Sequence, residues 1–154
     1  MRDTDVIVIG AGNAALCAAL SAADQGASVV VLERAHEEDR GGNSRFTAGA
    51  MRVVYNGLDD LLELMPDLTE EDRKNDFGQY TSDQFFDDMG RITDYRADPD
   101  LVETLVHGSY PALKWMQGKG VRFMPMYARQ AFKTEDGRFR FWGGLTVEAW
   151  GGGE

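Results

Sequence analysis

No stretch of this 154-residue sequence comes near the roughly 18 consecutive apolar residues that a membrane-spanning helix needs. Cysteine is nearly absent: Cys17 stands alone, so an internal disulfide is excluded, and its place within an apolar helix reads as packing. There are two histidines, His36 and His107, far apart and without a neighbouring third ligand, so neither reads as catalytic or metal-binding. Ser44 has no companion His and Asp arrangement that would make it a nucleophile. Basic residues are in short supply, 16 against 26 acidic ones, and the net charge of −10 argues against nucleic-acid or anionic-membrane partners. The carboxylates crowd into residues 67–76 and 83–88 without ordered ligand spacing, so they read as solvated faces and not as a metal site. Repeats and low-complexity segments are missing. Met1-Arg2-Asp3 leads straight into a strand pattern and leaves no room for a signal peptide, which points to a cytoplasmic protein.

What is present begins with one strand–loop–helix–strand unit over residues 4–33. Val6-Ile7-Val8-Ile9 has the β-branched content expected of a strand buried on both faces. The loop Gly10-Ala11-Gly12-Asn13-Ala14-Ala15 follows at once. Gly10 allows a sharp turn out of the strand, and Gly12 lets the backbone approach a pyrophosphate with no Cβ in the way. Ala15 at the third position is small enough for close helix packing. A helix over residues 13–25 offers its unpaired N-terminal N–H groups to an anion, and Gly26 ends it. Ser28-Val29-Val30-Val31-Leu32 then reads as a second buried strand. It delivers Glu33 close to the roughly 20-residue spacing of a carboxylate that accepts from a ribose hydroxyl. That carboxylate opposes a 2′-phosphate, which leaves FAD or NAD as the ligand.

Residues 40–51, Arg-Gly-Gly-Asn-Ser-Arg-Phe-Thr-Ala-Gly-Ala-Met, are too irregular for a plain helix or strand. So many small and hydroxyl residues suit a backbone lying against a planar ligand, which favours FAD over NAD. With this segment after the dinucleotide unit, the sequence resembles the flavoproteins of the fumarate reductase and succinate dehydrogenase family. Within that family the likeness is greatest to tricarballylate dehydrogenases, then to cobalamin-biosynthesis flavoproteins. It is strongest over residues 3–51 and thinner beyond.

The resemblance implies an FAD site. Gly10, Gly12, Asn13 and Ala14 would line the pyrophosphate, and Glu33 with Arg34 would hold the adenosine end. Gly42, Asn43, Ser44, Thr47, Ala48 and Gly49 would run beside the pyrophosphate, ribityl chain and flavin ring. Ala50 departs from the family, which often has glycine there. Asn43 stands where membrane-bound relatives carry the His joined covalently to flavin, so the implied FAD is non-covalent. The implied reaction is oxidation or reduction of a carbon–carbon bond next to carboxylates, with a small-molecule carboxylate as substrate and an electron-transfer partner in play. The Arg that handles the proton in relatives has no counterpart in these residues, and no catalytic residue is named. The expected fold class is α/β: a Rossmann-like FAD-binding βαβ unit with a mixed α+β extension, incomplete at the glycine-rich Trp150-Gly151-Gly152-Gly153-Glu154.

Residues 1–55 are read as the N-terminal part of the FAD-binding domain, and residues 56–154 as a helical segment and hairpin leading toward a substrate-capping domain. Helices are expected over 58–65, from an N-cap at Thr81 to Ile92, and from Asp98-Pro99 onward, with Leu101, Val102, Leu105 and Val106 on one apolar face. Pro111 either kinks that helix or opens a second one capped by Ser109. A strand over 121–126 and a hairpin turning at Asp136-Gly137 complete the pattern. The Arg and aromatic alternation from Arg122 to Trp142 reads as a hairpin with aromatics inside and Arg outside, ahead of a carboxylate pocket.

Overall fold

The computed structural model describes residues 3–152. They form two compact units, one of residues 3–49 together with Gly151 and Gly152, the other Ala50–Trp150.

In the first unit β1 (Val6–Ile9) pairs in parallel with β2 (Val29–Leu32), Val6 opposite Val29 and Ile9 opposite Leu32. The crossover is α1 (Asn13–Asp24), rich in Ala and Leu. One end of the pair is fastened by Asp5: its carboxylate accepts from the Ser28 N–H at 2.9 Å and the Ser28 hydroxyl at 2.7 Å. These bonds hold the Asp5 carboxyl below its ordinary range. The expectation of strands buried on both faces is overturned. Ile7, Ile9, Val30 and Leu32, which share a face by register, are 59%, 86%, 41% and 52% exposed. A two-stranded sheet with one crossover helix has a cover for one face only, so the apolar runs typical of a doubly covered sheet are half clothed here.

The second unit holds the buried core. Here β7 (Val147–Ala149) lies between β3 (Ala50–Met51) and β4 (Phe123–Pro125), antiparallel to both. Around this sheet sit α2 (Leu58–Leu64), α3 (Ser82–Thr93), α4 (Pro99–Gly118), the short α5 (Tyr127–Gln130) and the hairpin β5 (Ala131–Lys133) to β6 (Phe139–Phe141). Val53, Tyr55, Leu61, Leu64, Phe85, Val106 and Val147 are buried among them. Tyr55 is inaccessible to solvent, and its hydroxyl donates to the Phe77 carbonyl at 2.7 Å and lies 2.8 Å from the buried Thr146 Oγ1. Both polar groups thus stay paired in the core.

Local caps set the helix starts. At α3 the Thr81 hydroxyl accepts from the Gln84 N–H while the Gln84 side chain accepts from the Thr81 N–H, a reciprocal capping box. At α4 the Asp98 carboxylate accepts from Asp100 and Leu101 N–H groups at 3.0 and 3.2 Å, with Pro99 at the first helical position. Asp98→Ala should therefore lower stability by about 0.5–2 kcal/mol, read as a shift in the urea midpoint. An unchanged midpoint would show that α4 does not depend on its cap.

Of the two alternatives at Pro111 the second helix is excluded, and the apolar face read for α4 is corrected. α4 runs as one helix through Pro111, and Ser109 is no cap: its hydroxyl donates to the Val106 carbonyl and accepts from the Val54 N–H. The buried stripe is Val106, Ser109, Leu113 and Met116, whereas Leu101 and Leu105 are exposed. Packing against neighbours, not the first four apolar residues, chose the face.

The hairpin register places Phe139 and Phe141 inward and Arg140 outward, with the Phe77 and Phe141 rings stacked at 4.7 Å. Phe132 and Trp142 pack on each other at 4.7 Å on the outside, so not every aromatic is inside. All three tryptophans, Trp115, Trp142 and Trp150, belong to this second unit, and the last two are 68% and 65% exposed.

Candidate cofactor site

Parallel pairing brings the C-terminal ends of β1 and β2 together, the usual seat of ligands in open α/β sheets. The last ladder bond runs from the Gly10 N–H to the Leu32 carbonyl at 2.6 Å. Gly10 then takes a φ of +105°, which a residue with a Cβ rarely adopts, and the chain turns away from β2. Gly12 caps α1 with extended backbone and no side-chain bond. A Cβ on Gly12 would stand 3.3 Å from the Gly41 carbonyl oxygen and 3.5 Å from Ser44 Oγ. Any Cβ there would press on the 41–44 stretch, which lies against the loop.

Ser44 closes this arrangement: its hydroxyl accepts from the Asn13 N–H at 2.9 Å. The Ala14 and Ala15 N–H groups, next in the first turn of α1, have no partner among the described residues. They are the donors that an anion would meet. Glu33 follows β2 directly. Its Oε2 accepts from the Ala11 N–H at 2.9 Å and its Oε1 from the Ala35 N–H at 2.9 Å. These bonds, Ala35 first and Ala11 second, hold the Glu33 carboxyl below its ordinary range.

Of the residues read from sequence, the structure gathers Gly10, Gly12, Asn13, Ala14, Glu33 and Ser44 around the loop. Gly42 and Asn43 are exposed and open a 3-10 turn, Gly42–Phe46, with Gly42 at φ +55°. The Thr47 hydroxyl donates to the Ser44 carbonyl at 2.9 Å, and Ala48 and Gly49 both take left-handed backbone. Among the described residues no hydrogen bond joins Arg34, Asn43, Thr47 or Ala48 to the loop. Gly41 enters the sequence reading only as part of the 40–51 segment and not as a contact residue, yet its carbonyl is what Gly12 faces. The adjacent Gly41-Gly42 pair was the available signal, since both take positive φ. Cys17 is half-buried: burial pushes its thiol up, and its Sγ lies 3.7 Å from Asn13 Oδ1.

The residues present fit a dinucleotide. The loop offers a cradle that a Cβ would fill, unpaired N–H groups at a helix start, and a fixed carboxylate one strand away. The basic side chains of the hairpin do not compete for this role. A cleft of about 390 Å³ there is lined by Asp76, Asp136, Arg138 and Arg140. Arg140 is paired with Asp76 at 2.9 Å and Arg138 with Asp136 at 2.7 Å, both in solvent-exposed ion pairs. Arg52 is likewise occupied by the Tyr80 hydroxyl at 2.8 Å and by Asp88 at 3.1 Å. Burial and the bond to Asp88 push the Tyr80 hydroxyl up to about 12, so it serves as a donor at neutral pH.

Comparison with known proteins points to the same cofactor. The profile of the FAD binding domain family matches residues 5–150. Urocanate reductase of Eggerthella lenta is 34% identical over 114 residues, 74% of this chain and 16% of that protein. Fumarate reductase (cytochrome) of Shewanella frigidimarina is 31% identical over 118 residues, 75% of this chain and 18% of the relative. Digoxin reductase of Eggerthella lenta is 28% identical over 118 residues, 77% of this chain and 19% of the relative. The chain thus spans less than a fifth of the length of these three proteins. A match across nearly all of its own residues, on a loop built to receive a dinucleotide, places the chain in the FAD binding domain family of fumarate reductase and succinate dehydrogenase type flavoproteins.

Proposed function

We propose that the chain is the FAD-binding part of a flavoprotein oxidoreductase that acts on a carbon–carbon bond beside carboxylates, with tricarballylate as substrate and fumarate or succinate next in line. The observation that carries this reading is the family match together with relatives named for reducing urocanate and fumarate, both unsaturated carboxylates. Digoxin reductase and a vinyl phenol reductase of Lactiplantibacillus plantarum extend the reductase names to molecules that carry no carboxylate. The carboxylate is thus the finer step, and tricarballylate the finest.

In this reading Gly10, Gly12, Asn13 and Ala14 receive the pyrophosphate, and the α1 N-terminus offsets its charge. Glu33 and Arg34 hold the adenosine end, where the carboxylate accepts ribose hydroxyls and repels a 2′-phosphate. Residues Gly42, Asn43, Ser44, Thr47, Ala48 and Gly49 lie along the rest of the cofactor. FAD, when bound, supplies the two-electron exchange with carbon, and the protein sets orientation and charge. The Asn43 amide cannot attach flavin, so the FAD is held without a covalent bond. No helix of the described residues is long and apolar enough to cross a membrane. We place the protein in the cytoplasm, with a separate electron-transfer partner.

Acid precipitation of the FAD-loaded protein should release yellow flavin into the supernatant; flavin retained on the polypeptide would sink the non-covalent reading. Dye-coupled turnover is to be measured on the chain itself and on the complete reading frame that contains it. Oxidation of tricarballylate ahead of succinate is the expected result in the complete protein. Turnover of neither there would overturn the carboxylate reading.

A further inference from the structure

The glycine loop has an unusual exit from its strand. Gly10 makes the last ladder bond, to the Leu32 carbonyl, and the next N–H, that of half-buried Ala11, finds no main-chain carbonyl. A side chain takes it instead. Glu33, one residue past Leu32, accepts from Ala11 with one oxygen and from Ala35 with the other, each at 2.9 Å. Two bonds pulling on the two oxygens fix the carboxylate and extend the β1–β2 pairing by one rung beyond the backbone ladder. Asp5 fastens the opposite end of the same pair through Ser28, so a carboxylate pins each end of a sheet that has no third strand among the described residues.

We propose that Glu33 is the positioning residue of the glycine loop: it sets the point where the chain leaves β1 before any ligand arrives, in addition to any contact with ribose. Each carboxylate oxygen keeps a lone pair after accepting one N–H, so ribose hydroxyls are received without releasing Ala11 or Ala35. The ordering of the loop therefore precedes binding and is not a cost of it. The clamp itself is a property of the ligand-free chain. It rests on the FAD reading only for what the ordered loop is for.

The sign of its pH dependence follows from the folded state holding the carboxyl below its ordinary range. The clamp is fully present above the ordinary glutamate range and is lost as pH falls through the lower, folded value. In the ¹⁵N-labelled full chain without FAD, the Ala11 and Ala35 amide resonances should titrate together, with one midpoint below that range. In Glu33→Gln neither should titrate, and Ala11 amide exchange should quicken by about 3- to 10-fold, the modest effect expected of an exposed charged acceptor. Glu33→Asp keeps the charge but shortens the reach, and should lose the Ala11 titration while the Val29–Leu32 resonances stay in place. That variant also serves if Glu33→Gln fails to fold. An Ala11 amide that ignores pH in the unmodified chain, or that titrates normally in Glu33→Asp, would overturn the proposal. Failure of the chain to take up FAD would strike the proposed function and leave this result standing.

Discussion

Gly12→Val should weaken FAD binding by about 5- to 150-fold, the range corresponding to roughly 1–3 kcal/mol of overpacking. The first added carbon already meets the Gly41 carbonyl oxygen at 3.3 Å and Ser44 Oγ at 3.5 Å, and valine places two methyl groups beyond it. The backbone of Gly12 itself is extended, at φ −75° and ψ 174°, so the penalty is one of space and not of conformation. Either the loop or the 41–44 stretch must retreat, and the Asn13 N–H to Ser44 Oγ bond lengthens with it. Titration of apoprotein with FAD measures the loss. Amide shifts at Asn13 and Ser44 show whether the two segments have parted. An unaltered affinity with displaced segments would mean that the approach of 41–44 to the loop has no part in cofactor binding.

Phe85→Ala should destabilise the second unit by about 3–5 kcal/mol. Phe85 is 2% exposed, its ring tilts against Tyr80 at 5.5 Å, and the Arg52 guanidinium lies 5.9 Å from its centroid. Removing the ring opens a void beneath the Arg52–Tyr80–Asp88 cluster, whose 2.7–3.1 Å bonds were set against that surface. Gly144 packs against the same cluster, where a Cβ would stand 3.2 Å from the Tyr80 ring. Urea unfolding should show a lower midpoint with the slope retained. A loss below about 1 kcal/mol would mean that the surrounding side chains collapse into the space.

What was legible in the sequence was local. The β1–α1–β2 unit is announced by β-branched runs on either side of a glycine loop, all within one short stretch of chain. The caps at Thr81 and Asp98 are written within three residues of the groups they serve, and the Asp136-Gly137 turn sits between its own strands. What was not legible depends on partners distant in sequence. Of the β3–β7–β4 sheet only β4 was marked, by the largely apolar run over 121–126; β3 and β7, of two and three residues, are too short for any periodicity to mark. The bond between Tyr55 and Thr146 joins residues 91 positions apart. Exposure of Ile7 and Ile9 reflects what covers a sheet face, and a run of apolar residues does not record whether the cover is present. In the candidate site the glycines could be read from the loop, but the N–H of Ala11 that Glu33 meets is a backbone group that no side-chain pattern reveals.

The distribution of tryptophan has a spectroscopic consequence. Trp115, Trp142 and Trp150 all lie between Ala50 and Trp150, so intrinsic fluorescence watches the second unit and is blind to the glycine loop, α1 and Glu33. A single fluorescence-detected transition would therefore be silent on whether the nucleotide-binding unit had already come apart. Far-ultraviolet circular dichroism sees α1 as well as α3 and α4, and a mismatch between the two signals would mark the units as melting separately. A tryptophan placed at Leu20, 45% exposed on α1, would give the first unit a reporter of its own.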